Sequence, residues 1–120
     1  SNRIHKALLL RKNLITNETN AVRLIHGEGD FLAGIVLDKY DKYAVLYLDG
    51  TAILSLKDMI IQVLEKALPG YGIENLLFRY KRKHEKEVTV IYGKLPDDII
   101  QIKENGMILW TDLINGQKTG

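Results

Sequence analysis

Two stretches of the chain concentrate cations. Residues 3–12 hold Arg3, Lys6, Arg11 and Lys12 with no acid among them. Residues 79–86 hold Arg79, Lys81, Arg82, Lys83 and Lys86 against the single acid Glu85. Each stretch carries a net +4 in a chain whose formal total is +2, so the remaining residues sum to −6. Gathered ammonium and guanidinium groups neutralise phosphates, and the ring of Tyr80 inside the second stretch can stack on an unpaired base. The pattern points to a polyanion partner. Its plainer explanation carries equal weight: a solvated helix face and a solvated loop.

Other candidates carry less. His26-Gly27-Glu28-Gly29-Asp30 puts an imidazole and two carboxylates within five residues. A metal needs three or more ligands converging, and a turn between strands accounts for these residues, so no metal site is expected. Histidine occurs only at 5, 26 and 84, and no strand–turn–helix nucleophile motif supports a catalytic triad, so no catalytic residue is assigned. Gly116-Gln117-Lys118-Thr119-Gly120 has the letters of a phosphate loop, but Gln117 interrupts Gly-Lys. Asn17-Glu18-Thr19 satisfies a glycosylation sequon that means little without a secretion signal. Trp110, the single tryptophan, reads as a core or interface residue before a base platform.

These residues sit in 120 residues, 46% hydrophobic and 27% charged, enough for one domain with its own core. The chain has no cysteine, which excludes a disulfide framework, cysteine-ligated zinc, iron–sulfur clusters and a thiolate nucleophile. No apolar run approaches the length that crosses a bilayer, so no membrane association is expected. The first residues lack the apolar stretch of a signal peptide, which leads us to expect a cytoplasmic location.

Periodicity predicts the elements that position the candidates. Ile4, Ala7, Leu8 and Arg11 follow helical spacing, with Leu14 continuing the stripe, for a helix over residues 4–15. Residues 21–26, 34–40 and 43–48 read as strands, the last two as a hairpin about Asp41-Lys42. Ser55 or Thr51 caps a second helix reaching Ala67, with Leu56, Met59, Ile60, Val63, Leu64 and Ala67 on one stripe, and Pro69-Gly70 stops it. Residues 74–80 and 88–92 read as strands. Residues 99–104 and 107–113 form a hairpin about Asn105-Gly106, a pair suited to the type I′ turn. The order shows no βαβ alternation, which argues against a doubly wound nucleotide-binding fold. The expected class is α+β, a mostly antiparallel sheet of about six or seven strands with two helices, ending in a β-hairpin.

Two blocks carry a family resemblance. Residues 19–40, with Thr19-Asn20-Ala21, Arg23-Leu24, Gly27-Glu28, Asp30, Leu32, Gly34, Asp38 and Tyr40, resemble the Thr-Asn-Ala-Tyr-Arg-Leu to Val-Asp-Arg-Tyr run of one enzyme family. Glu104-Asn105-Gly106, Asp112-Leu113 and Gly116-Gln117-Lys118-Thr119-Gly120 resemble the run that leads into its catalytic domain. The family is the PUA-containing, S-adenosylmethionine-dependent large-subunit rRNA cytosine-5 methyltransferases. Val22, Ala33 and Lys39 stand where that family usually has tyrosine, proline and arginine.

The resemblance implies a three-part parent: a PUA domain, a middle domain and a Rossmann-like methyltransferase. Residues 1–113 would be the RNA-facing middle domain and 114–120 the start of the linker into the catalytic part. The cysteine nucleophile and glycine-rich cofactor loop would lie in that part, so this chain alone would be inactive. S-adenosylmethionine would be bound by the parent, with Gln117, Lys118 and Thr119 at the entrance to its site. The partner would be rRNA, gripped by Arg3, Lys6, Arg11, Lys12, Arg79, Lys81, Arg82, Lys83 and Lys86. The alternative is a structural spacer or a homodimerisation domain with no RNA binding of its own, using Trp110 and the final hairpin as its patch.

Overall fold

The computed structural model describes the backbone of residues 2–16, 19–27, 34–80, 88–97, 99–113 and 117–119. Helix α1 (Asn2–Lys12) is followed by β1 (Ala21–His26), β2 (Ile35–Tyr40) and β3 (Tyr43–Leu48). Two helical pieces, α2 (Thr51–Leu54) and α3 (Lys57–Ala67), and a 3₁₀ turn (Leu68–Tyr71) lead to β4 (Asn75–Tyr80) and β5 (Val88–Tyr92). The chain then forms β6 (Ile100–Glu104), β7 (Met107–Asp112) and β8 (Gln117–Thr119). The α+β class is as expected, but the strands divide into two sheets, β1-β2-β3-β4-β5 and β6-β7-β8.

Each face of the larger sheet has its own partner. Leu37, Leu46, Leu76 and Phe78 alternate onto one face and pack with Ile4 and Leu8 of α1 and Ile60 and Leu64 of α3. A bulge between Arg23 and Ile25 lets both Leu24 and Ile25 be buried despite their adjacency. Lys57 at the start of α3 lies 4.4 Å from the Phe78 ring centroid, its stem covering the sheet. Among the described residues the opposite face is covered only in part. Val45 and Leu77 meet Leu113 there, with Tyr40, Tyr43, Tyr47, Val88 and Ile100 packed around them. The smaller sheet therefore leans on the face the helices leave open.

Several local expectations need correction. The first helix stops at Lys12, its last turn carrying Arg11 and Lys12 where cations suit the helix dipole. Leu14 lies past that end and is exposed. The second helix breaks at Ser55-Leu56, where the Leu56 N–H bonds the Ile53 carbonyl three residues back and α3 restarts without a side-chain cap. Its buried seam is Ile60, Leu64 and Leu68, leaving Leu56 and Met59 about half exposed. β3 and β4 pair in parallel, with Val45 opposite Leu77, so the helices form one βαβ crossover inside an otherwise antiparallel sheet. Residues 117–119, which the resemblance places in the linker, pair with β7 as a third strand. The Asn105-Gly106 turn is as expected: both residues have positive φ, 52° and 81°.

Candidate nucleic-acid interface

A shallow polar cleft of about 190 Å³ opens beside β1 and β2, lined by Ala21, Val22, Arg23, Asp38, Lys39, Tyr40 and Glu104. Strand pairing builds it. Arg23 stands opposite Asp38, and Ala21 opposite Tyr40, on the face away from the helices. The Arg23 guanidinium holds Asp38 with two bonds, Nε to Oδ1 at 2.7 Å and Nη2 to Oδ2 at 3.1 Å. The Asp38 side chain is only 10% exposed, whereas that of Arg23 is 50% exposed. The bond to Asp38 raises the arginine's pKa further, so the guanidinium is cationic at every accessible pH. It retains donors beyond the two given to Asp38.

The surroundings are fixed by buried polar bonds. Lys39 is buried at the strand end, and its ammonium donates to the carbonyls of Asp41 at 2.5 Å and Asn20 at 3.3 Å. Burial pushes its pKa down, against the pull of Asp41. Burial, with Asp38 adding to it, raises the Tyr40 phenol far above its ordinary value, and burial raises Tyr47 as well. Both phenols stay protonated near neutrality. The residues lining the cleft include no serine, threonine, cysteine or histidine. They offer the Arg23–Asp38 pair, the Lys39 ammonium, the Tyr40 phenol and the Glu104 carboxylate, and the half-exposed side of the Arg23 guanidinium can donate to an anion.

The two resemblance blocks meet at this edge. The Asn20 N–H donates to the Lys103 carbonyl at 2.9 Å, and Asn20 Oδ1 accepts the Lys103 N–H at 2.8 Å. Thr19 Oγ1 accepts the Asn105 N–H at 2.9 Å. Thr-Asn of the first block thus fastens Glu-Asn-Gly of the second, and Glu104 is delivered to the rim of the cleft.

The cations singled out in the sequence are distributed unevenly. Arg3, Lys6 and Lys12 are exposed on α1, with the Lys12 ammonium 5.6 Å from the Tyr71 ring centroid. Arg11 is half-buried, and its Nη1 donates to the Leu24 carbonyl at 3.0 Å, tying α1 to β1. Arg79 is buried at 8% exposure and donates to the Leu113 carbonyl, which holds the C-terminal segment against the sheet. Lys81, Arg82, Lys83 and Lys86 lie outside the described residues, as do Glu28, Gly29 and Asp30 of the histidine-acid cluster. α1 packs beside β1, whereas Arg79 lies on β4, three strands along in the larger sheet. The described cations of the two stretches do not form one patch. Gln117, Lys118 and Thr119 lie on β8, an edge strand among the described residues.

Arg23, Asp38 and Tyr40 were not singled out as site residues by the sequence reading. The available signal was a charge of each sign inside an otherwise apolar strand, Ala-Val-Arg-Leu-Ile and Ile-Val-Leu-Asp-Lys-Tyr.

No family model matches the chain. Over 98% of its length it is 34% identical to the ribosomal RNA large subunit methyltransferase I of Vibrio cholerae, of which it covers 31%. Among solved structures, a putative methyltransferase complexed with SAH superposes on 98% of the chain with a TM-score of 0.79 at 19% identity, the match covering 30% of that protein. A putative SAM-dependent methyltransferase from Streptococcus mutans superposes on 91% of the chain with a TM-score of 0.77 at 19% identity, over 28% of its own length. These two likenesses show a shared fold. The chain spans about a third of the length of the curated relatives it matches.

Proposed function

We propose that this chain is the central domain of a SAM-dependent large-subunit rRNA (cytosine-C5) methyltransferase, where it helps bind and orient RNA and leaves methyl transfer to a separate catalytic domain. The observation that carries the reading is the 34% identity along nearly the whole chain to an rRNA large subunit methyltransferase that is about three times longer. Residues 1–113 are the domain proper and 114–120 lead toward the catalytic part, with a PUA domain as the third member of the parent. The cellular site is the cytoplasm; no helix among the described residues is long and apolar enough to cross a membrane.

The chain's own residues act by binding. Exposed Arg3 and Lys6, the lysines and arginine of residues 81–86, and the half-exposed Arg23 attract phosphates. Arg11 and Arg79 are spent on carbonyls of the fold and support the surface rather than meet RNA. S-adenosylmethionine supplies the methyl group to the parent enzyme. Gln117, Lys118 and Thr119 are the part of this chain assigned to the entrance of its site. Three consecutive residues on one edge strand do not enclose a nucleoside, so no step of methyl transfer is assigned to this chain.

The reading is tested by titrating the chain with fragments of large-subunit rRNA at several salt concentrations. We expect binding at low salt with a negative log–log salt slope, and no methyl transfer. Absence of binding at low salt overturns the RNA role, and methyl transfer by this chain overturns its non-catalytic assignment. A second reading, a spacer or dimerisation domain, is favoured by the exposed Leu9 and Leu10 of α1, 61% and 73% exposed. A concentration-dependent dimer by light scattering, without RNA binding, would establish it instead.

A further inference from the structure

Trp110 occupies the middle of β7, the central strand of the three-stranded sheet, yet it is 47% exposed. Gln101 stands directly opposite it on β6, and Lys103 stands opposite Ile108. Paired residues of an antiparallel ladder share a side, and alternate residues return to it. Gln101, Lys103, Ile108 and Trp110 therefore form one outer face, and all four are exposed. The inner face carries Ile102 and Thr111, both buried. Asp112 is the acid two residues along the outer side of β7, half-buried at the strand end.

We propose that this outer face is a stacking platform for an unpaired RNA base. The inference rests on the RNA-binding reading above and names the residues that would make the contact. Trp110 supplies the π-surface, Lys103 meets a flanking phosphate, and Gln101 supplies an amide to the base edge. An indole stacks on any base, so the contact is tolerant of sequence and selective for single strands. The geometry is fixed in advance. The Asn20 and Thr19 bonds pin the backbone of Lys103 and Asn105, so the platform is held to the larger sheet beside the Arg23 cleft. Charge favours RNA over a protein partner: the two apolar side chains on β7 lie across from an ammonium and an amide on β6, so half of the face is polar.

Trp110 is the chain's only tryptophan, so its emission reports this face alone. The chain is titrated with a single-stranded oligoribonucleotide of about ten nucleotides and with a duplex of equal length, following tryptophan emission and the anisotropy of labelled RNA in parallel. The single strand should quench Trp110 and the duplex should quench it far less. Trp110→Ala should weaken single-strand binding about tenfold, with Trp110→Phe recovering most of the loss. Lys103→Ala should reduce the salt slope by about one. Circular dichroism of each variant checks the fold, and the quenching arm needs no variant. Binding by anisotropy with unchanged emission, and equal affinity in Trp110→Ala, overturns the platform while the RNA reading stands. No binding by anisotropy at low salt overturns both. A blue shift of emission that grows with protein concentration, together with a dimer mass by light scattering, assigns the face to a second copy of the chain and overturns the platform.

Discussion

Asn20 and Lys103, 83 residues apart in sequence, exchange two hydrogen bonds. Asn20 donates its backbone N–H to the Lys103 carbonyl and takes the Lys103 N–H on its side-chain oxygen. The first bond continues the ladder of β1 toward β6, and the second needs the asparagine side chain itself. Replacing it leaves a backbone N–H near the turn of the β6–β7 hairpin to be satisfied by water alone.

Asn20→Ala should therefore cost about 1 kcal/mol of stability, the net worth of one such bond. Its sharper signature is local. Hydrogen exchange at the Lys103 amide should quicken more than at amides of β2 or β3. Equal acceleration across both sheets would show that the bond contributes to global stability only.

The Arg23–Asp38 pair predicts an asymmetry. Arg23→Ala leaves a 90% covered carboxylate without its cation and should cost about 1–3 kcal/mol. The double change Arg23→Ala with Asp38→Ala should recover part of that loss, because no buried charge is then stranded. Denaturant unfolding of the two singles and the double closes the cycle. Additive losses would mean the pair is not coupled.

This pair also marks what was legible before the structure. The strands 43–48 and 88–92 were read correctly because alternation and turn residues are local signals. The Asn105-Gly106 turn was legible for the same reason, since positive φ at two consecutive positions selects those residue types. The parallel pairing of Val45 with Leu77 was not, because nothing within either strand says which distant strand lies beside it. Arg79 looked like a phosphate contact among its basic neighbours. Its position on β4 buries it, and only the tertiary fold brings the Leu113 carbonyl to it. No strand was expected at Gln117 to Thr119 because three polar residues carry no periodicity, and their strand exists by pairing with β7.

Gly34→Ala should be strongly destabilising. Gly34 has φ +90°, and an added Cβ would overlap the Asp49 carbonyl oxygen and approach Ile53 Cγ2 to 3.0 Å. Its own carbonyl accepts the Asp49 N–H at 2.8 Å, so the two segments cannot separate without losing that bond. A loss of about 2–4 kcal/mol is expected, visible as a clear fall in melting temperature. Gly50, also at positive φ but with open space around it, should tolerate alanine better.

Alkaline pH should unfold the protein through its tyrosines. Burial, with Glu65 adding to it, raises Tyr92 from its ordinary 10.0 to about 12, and its hydroxyl donates to the Ile73 carbonyl at 3.0 Å. Tyr40 and Tyr47 shift in the same direction. The unfolded phenols lose their protons first, so the stabilisation is complete below about pH 10 and is lost as pH rises through the folded values. Lys39 has the opposite sign: its pKa is lowered by burial, so the folded state gains as pH rises from that lowered value toward 10.5. Three phenols oppose one ammonium, and the net expectation is a decline between about pH 10 and 12. Denaturant midpoints across that range should fall, and Tyr92→Phe should flatten the fall. A midpoint that holds steady across the range would mean that the phenols do not set the alkaline stability.

The division of the basic residues into surface and support makes the last prediction. Lys81→Glu with Arg82→Glu and Lys83→Glu should weaken RNA binding and flatten its salt slope while leaving the melting temperature nearly unchanged. Arg79→Met should do the reverse. It removes the donor to the Leu113 carbonyl from the contact between sheets, so stability should drop by about 1–3 kcal/mol. The salt slope of the folded fraction should stay as it was, because a guanidinium 8% exposed makes no ion pair with a phosphate in solution. Measuring stability and salt slope on both variants separates the roles. A slope reduced by Arg79→Met as much as by the triple reversal would place Arg79 among the RNA contacts after all, and would require the Leu113 segment to lift away when RNA binds.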